Sequence, residues 1–182
     1  DAGPTFLYVH SIDPHEEYEP DPQYLARFAD PSWMSAYREQ WKALLMTRPN
    51  VPGNHVTQWN FDMAEIDPGP FIEHGRNLYD ADVLANDAEI ERLWNRLAAE
   101  GWSEDSIVVV TSDHGEEFLD HGGLRHGHAL YQELVSVPLI VKAPGAPGGA
   151  LGAPLAHKRH TGKPEDRAPC PRRSQRRRKD PT

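Results

Sequence analysis

Cysteine is nearly absent: Cys170 is the one thiol in 182 residues. That excludes an intrachain disulfide framework and any zinc or iron–sulfur centre built from several cysteines. Long apolar runs are missing too, and none approaches the ~18–20 residues a membrane-spanning helix requires. The chain opens Asp1-Ala2-Gly3-Pro4, without an initiator Met or a secretory leader, which leaves its compartment open. Basic charge is scarce over most of the length. Residues 1–157 hold nine Lys/Arg against 25 Asp/Glu, whereas 158–182 hold ten against three, so a body of −16 carries an end of +7. What is present is a 38% hydrophobic content, enough for one domain with a sizeable core, and 17 Pro with 14 Gly, which forecasts many loops.

Two regions follow from this. Residues 1–145 read as a folded body, and 146–182 as a Pro/Gly-rich and then Arg-rich tail. The tail has no apolar period with which to offset its ordering entropy, so disorder is its expected state. Clustered Arg could make it a polyanion-binding arm, but no aromatic is interleaved, and no specific nucleic-acid partner is expected. An out-of-frame gene end is the other reading of such a composition.

Within the body, Thr5–His10 is a β-branched and aromatic run, Ile107–Thr111 a more apolar one, and Val137–Val141 a third. Lack of alternation in 107–111 fits a strand buried on both faces of a parallel sheet. Between the first two lies Gly75–Gly101, where Tyr79, Val83, Ile90, Trp94 and Leu97 fit one helical face. A weaker helix is expected over 32–45. Strand, long helix, buried strand is the grammar of a βαβ crossover. The expected class is α/β, with strands 5–10, 107–111 and 138–142 in one largely parallel sheet and a helix over about 77–100 packed on it.

The sharpest chemical signal follows the second strand: Thr111-Ser-Asp-His-Gly-Glu-Glu-Phe118. Asp113 offers a hard anionic oxygen and His114 a borderline nitrogen, and adjacent on a loop they can turn toward one divalent ion. His114, His121, His126 and His128 crowd a 15-residue window that also holds Gly115, Gly122, Gly123 and Gly127. Such a cluster suits metal ligation or proton transfer better than packing. For His121 and His128 taken singly, a solvated polar loop is the preferred reading. A second polar loop, His10-Ser-Ile-Asp-Pro-His15-Glu-Glu-Tyr18, follows the first strand. Pro14 holds Asp13 extended, so His15 projects from a stiff turn. If strands 5–10 and 107–111 are parallel neighbours, both loops share one rim, which is what a cleft requires. His10 reads as a strand-end histidine.

Together these stretches resemble the sulfatase family of the alkaline phosphatase superfamily. The resemblance rests on Asp13-Pro-His15-x-x-Tyr18 and Val108–Phe118, extended by His126-Gly-His-Ala-Leu-Tyr131 and Val137-Pro-Leu-Ile-Val141, across roughly residues 5–145. It implies a partial alkaline-phosphatase-like sandwich and a sulfuric ester hydrolase acting on small-molecule or glycan sulfate esters. It further implies a divalent metal held by Asp113 and His114, Ca²⁺ in sulfatases and Mn²⁺ or Zn²⁺ in related phosphoesterases. His126 would contact the sulfuryl oxygens, and His15 would bind the ester and protonate the leaving oxygen. A periplasmic or extracellular setting is the matching expectation.

The family's nucleophile motif, Cys/Ser-x-Pro-x-Arg, is not found. Cys170-Pro-Arg-Arg-Ser174 has Arg172 at the Pro position, and Ser136-Val-Pro138 has Ile140 at the Arg position. No adjacent Asp pair occurs to complete the metal ligands. The chain is therefore expected to be a C-terminal-half fragment of such an enzyme, inactive alone. The alternatives are a phosphonate or phosphate monoesterase or phosphoethanolamine transferase of the same superfamily, and a non-catalytic fragment with a polyanion-binding tail.

Overall fold

Three helical segments begin where an aspartate stands directly before a proline. The carboxylates of Asp21, Asp30 and Asp67 accept the backbone N–H of Gln23, Ser32 and Gly69 at 3.0, 2.7 and 2.9 Å. The following Pro22, Pro31 and Pro68 have no N–H to leave orphaned and a φ already suited to a helix. The helices so started are α1 (Pro22–Leu25), a 3₁₀ turn (Pro31–Trp33) that runs into α2 (Met34–Met46), and the 32-residue α4 (Pro68–Ala99). Between α2 and α4 come β1 (Val56–Thr57) and α3 (Gln58–Ala64). β2 (Val108–Thr111), β3 (Glu117–Phe118), β4 (Gly123–Arg125), α5 (Gln132–Val135) and β5 (Leu139–Lys142) follow. The computed structural model describes residues 3–47, 55–102, 104–146 and 148–149. Nearly all of the expected basic tail lies outside the described residues.

Packing explains why α4 starts before the predicted helix. Its buried positions are Phe71, Gly75, Leu78, Ala81 and Asp82, a stripe at helical spacing that faces α1 and α2. Gly75, which reads as a helix boundary, sits instead within the helix, where a Cβ would come 3.2 Å from the Tyr37 hydroxyl. The predicted stripe farther along is partly solvated, with Val83 43% and Ile90 39% exposed. One core joins Leu44, Val56, Phe61, Phe71 and Leu124, and a second joins Leu25, Leu78 and Ala81. Tyr37 packs against both. Buried Asn60 ties α3 to the end of α2, donating to Thr47 Oγ1 at 3.1 Å while that hydroxyl donates to Leu44 O at 2.7 Å.

The sheets depart from the expected parallel arrangement. All described pairings are antiparallel: one sheet has the order β1-β4-β3, and the other is the two-stranded ribbon β2-β5, with Val109 opposite Val141. Residues 5–10 form no strand, and Phe6 and Tyr8 are 88% and 73% exposed. Their β-branched and aromatic composition favours extended backbone, but an extended segment becomes a strand only when a neighbour takes its N–H and C=O groups. Nor is β2 buried on both faces. Its residues alternate between half-buried and exposed, and Ile107 just before it is 70% exposed. β5 is exposed throughout, and Lys142 reaches back from it to lie 5.5 Å over the Trp94 ring of α4.

Candidate functional site

The two polar loops meet, though no parallel sheet brings them together. Side chains do it instead. Tyr18 donates its hydroxyl to Glu116 Oε2 at 2.8 Å, bridging 98 positions in sequence. Glu16 pairs with Arg125, whose guanidinium also lies 5.6 Å over Trp41. Asn86 of α4 steadies the near side of the first loop, donating to Asp13 O at 2.9 Å and accepting from Ser11 Oγ at 3.0 Å. Arg125 reaches its position with φ 87°, a left-handed backbone that costs a non-glycine residue about 1–3 kcal/mol.

Three imidazoles are gathered by these ties. The His126 ring stacks on His114 with centroids 3.9 Å apart, and His15 meets His126 edge-on at 5.1 Å. Each is anchored through Nδ1. His15 Nδ1 lies 2.6 Å from Glu16 O and His114 Nδ1 2.8 Å from Gly115 O. A carbonyl can only accept, so those nitrogens carry the hydrogen and present Nε2 with its lone pair. His126 Nδ1 lies 3.0 Å from Glu116 Oε1. Asp113, adjacent and exposed, accepts the His114 N–H at 3.1 Å and has Oδ1 3.8 Å from His114 Nε2. Its own backbone N–H, with help from His114 and His10, holds its carboxyl below the usual range.

An exposed carboxylate beside an imidazole nitrogen with a free lone pair suits a divalent cation. Two ligands are too few to enclose it, since Ca²⁺ takes about six to eight oxygens. Asp113 and His114 fit part of such a site. A second group, Glu117, His121 and Glu133, brings one ligand atom each within 4.8 Å of the others. Here the lone pairs are already in use. Fully buried Glu117 accepts the N–H of His121 at 2.9 Å and of Gly123 at 2.8 Å, and pairs with His128 Nε2 at 2.7 Å. Burial raises its pKa, yet these donors outweigh that and hold it below the ordinary value. His121 Nδ1 meets Glu133 at 2.5 Å while its ring stacks on Tyr131 at 3.9 Å.

The solvated-loop reading is corrected for His128, which is an anchor; His121 remains exposed, as that reading expects, while its ring pairs with Glu133. The His128 side chain is 9% exposed, and its Nδ1 is a buried atom without a hydrogen-bond partner among the described residues. Sequence reasoning missed Glu116, Glu117 and Arg125 as parts of the site. Their only signal was proximity to the histidines. Two glycines allow the loop's path. A Cβ on Gly115 would collide with the carbonyl oxygen of Glu133, and one on Gly123 with the His128 ring. Gly115 N–H donates to Leu134 O at 2.8 Å, locking Asp113 and His114 to α5.

Comparison with known proteins gives a consistent picture. The sulfatase family profile matches residues 1–161. YidJ, an uncharacterised sulfatase of Escherichia coli K12, is 31% identical over 160 residues, covering 86% of this chain and 30% of its own length. An N-acetylglucosamine-6-O-sulfatase of Bacteroides thetaiotaomicron is 31% identical over 114 residues, 63% of this chain and 18% of its own. The chain thus spans less than a third of either relative. No solved structure matches it.

Proposed function

The chain belongs to the sulfatase family, and from that premise we propose that Asp113, His114, His126 and His15 form the sulfuryl-binding part of a metal-assisted sulfuric ester hydrolase. One observation carries the reading: imidazoles from loops about 100 residues apart lie in ring contact beside an exposed carboxylate. Sulfuryl transfer spreads negative charge over the equatorial oxygens and builds it on the leaving oxygen. A divalent ion on Asp113 and His114, most naturally Ca²⁺ with Mn²⁺ or Zn²⁺ as alternatives, would supply positive charge at a sulfuryl oxygen. His126 contacts those oxygens. His15, its Nδ1–H fixed to Glu16 O, turns Nε2 toward the leaving oxygen and, as the doubly protonated imidazolium, delivers the Nε2 proton to it. The substrates are small-molecule or glycan sulfate esters.

A covalent step needs a nucleophile, and the family's motif for one is not among these 182 residues. The isolated chain should therefore hydrolyse no aryl sulfate above background, with or without Asp113→Ala. In a full-length sulfatase polypeptide carrying this stretch, Asp113→Ala should lower aryl sulfate turnover at least ~100-fold, since metal stabilisation is worth several kcal/mol. Full activity in that variant would overturn the assignment. Faster cleavage of an aryl phosphate than of the sulfate would move the reading to a phosphoesterase.

A further inference from the structure

The carboxylate behind His126 is unlike the anchors of the other two site histidines. His15 and His114 are held by backbone carbonyls one residue away, contacts any sequence could make. His126 is held by a side chain ten positions distant, and that side chain is itself clamped. Glu116 is 5% exposed and has both oxygens engaged, Oε1 by His126 Nδ1 at 3.0 Å and Oε2 by the Tyr18 hydroxyl at 2.8 Å. Tyr18 is fixed in turn, its ring edge-on to Tyr79 at 5.7 Å and tilted on Phe118 at 6.3 Å. Burial, with the Glu116 charge, pushes the Tyr18 pKa far upward, so its hydroxyl stays a donor. A carboxylate receiving a proton donor on one oxygen presents its other oxygen in a set direction.

We propose that Glu116 is the positioning residue for His126: it holds the Nδ1–H so that Nε2 is always the nitrogen that faces the anion and, when protonated, donates to it. The inference rests on the sulfuryl-binding role given to His126 above. Without Glu116, the hydrogen would no longer be fixed on Nδ1, and a ring stacked only on His114 could flip about χ2 and turn Nε2 away from the anion in part of the population. Tyr18 and Phe118 make the clamp a link between the first loop and β3. Ordering the loop that carries His15 and orienting His126 are thus one event.

Histidine-ring ¹⁵N NMR of the 182-residue chain, recorded without any anion, decides it. Wild type should show hydrogen on His126 Nδ1 at every pH at which the fold persists. Glu116→Ala should move the neutral ring to a mixed or Nε2–H population, a change of at least ~10-fold in tautomer ratio, while the rings of His15 and His114 keep theirs. An Nε2–H neutral ring in wild type overturns the proposal, and so does an unchanged ratio in Glu116→Ala. Should Glu116→Ala unfold, the wild-type ratio still decides the orientation, and Tyr18→Phe, which loosens the clamp from its far side, should lower the ratio. Because no sulfate enters the measurement, its failure is distinct from failure of the sulfate-ester reading.

Discussion

Asp82 shows how strongly this chain can disturb a single carboxyl. It lies buried on α4, and burial, together with the nearby carboxylates of Asp13 and Glu19, pushes its pKa up to about 6 despite the Glu19 N–H that it accepts. A raised folded-state pKa means the folded form holds the proton more tightly than the unfolded one. The stability this contributes is fully present below about pH 4 and is lost as pH rises through about 6. Asp82→Asn should flatten that fall, so that melting temperatures at about pH 4 and about pH 7 draw together; an unchanged difference would contradict the assignment. Residues of this kind show what a sequence can and cannot reveal. The grouping of His114 with His126 could be read from imidazoles massed among glycines, and His15 was singled out by its Asp-Pro-His loop. Glu116, Glu117 and Asp82 were not, because carboxylates are common on every surface and burial is not written in one residue's identity.

At the scale of elements, caps were more informative than composition. Asp21, Asp30 and Asp67, each before a proline, start helices, whereas Asp13-Pro14 starts none, and reading Gly75 as a boundary moved the expected start of α4 too far along. The glycine that matters most to the site is Gly115. Its Cα passes so close to the Glu133 carbonyl that a methyl cannot fit, and its N–H bond to Leu134 ties the loop of Asp113 and His114 to α5. Gly115→Ala should cost about 1–3 kcal/mol of overpacking, read as a lower urea midpoint with an unchanged slope. A midpoint equal to wild type would mean that the loop is looser than described. Strand 5–10 was misread for a physical reason: propensity reports a side chain's fit to a pleated surface, and the surface has to be supplied by neighbours.

Across the whole molecule the acidic, helix-rich body buries its core well, while its ribbon remains bare. Val109, Leu139, Ile140 and Val141 are 55%, 48%, 63% and 56% exposed, and a two-stranded sheet with apolar faces invites pairing with another chain. Replacing the opposed, outward-facing pair by Val109→Lys with Val141→Glu should reduce both self-association and binding of an apolar dye. Stability should change by less than about 0.5 kcal/mol, since these side chains bury little. Undiminished dye binding would place the sticky surface elsewhere. The central claim, that separated loops build one metal-assisted anion site, is tested most directly by titrating the chain with Mn²⁺ and following paramagnetic broadening of its histidine rings. The account predicts that His114, His126 and His15 broaden together at the lowest Mn²⁺, before His74, and that Asp113→Ala abolishes this. Broadening that begins at His121, between Glu117 and Glu133, or that survives Asp113→Ala unchanged, would contradict it.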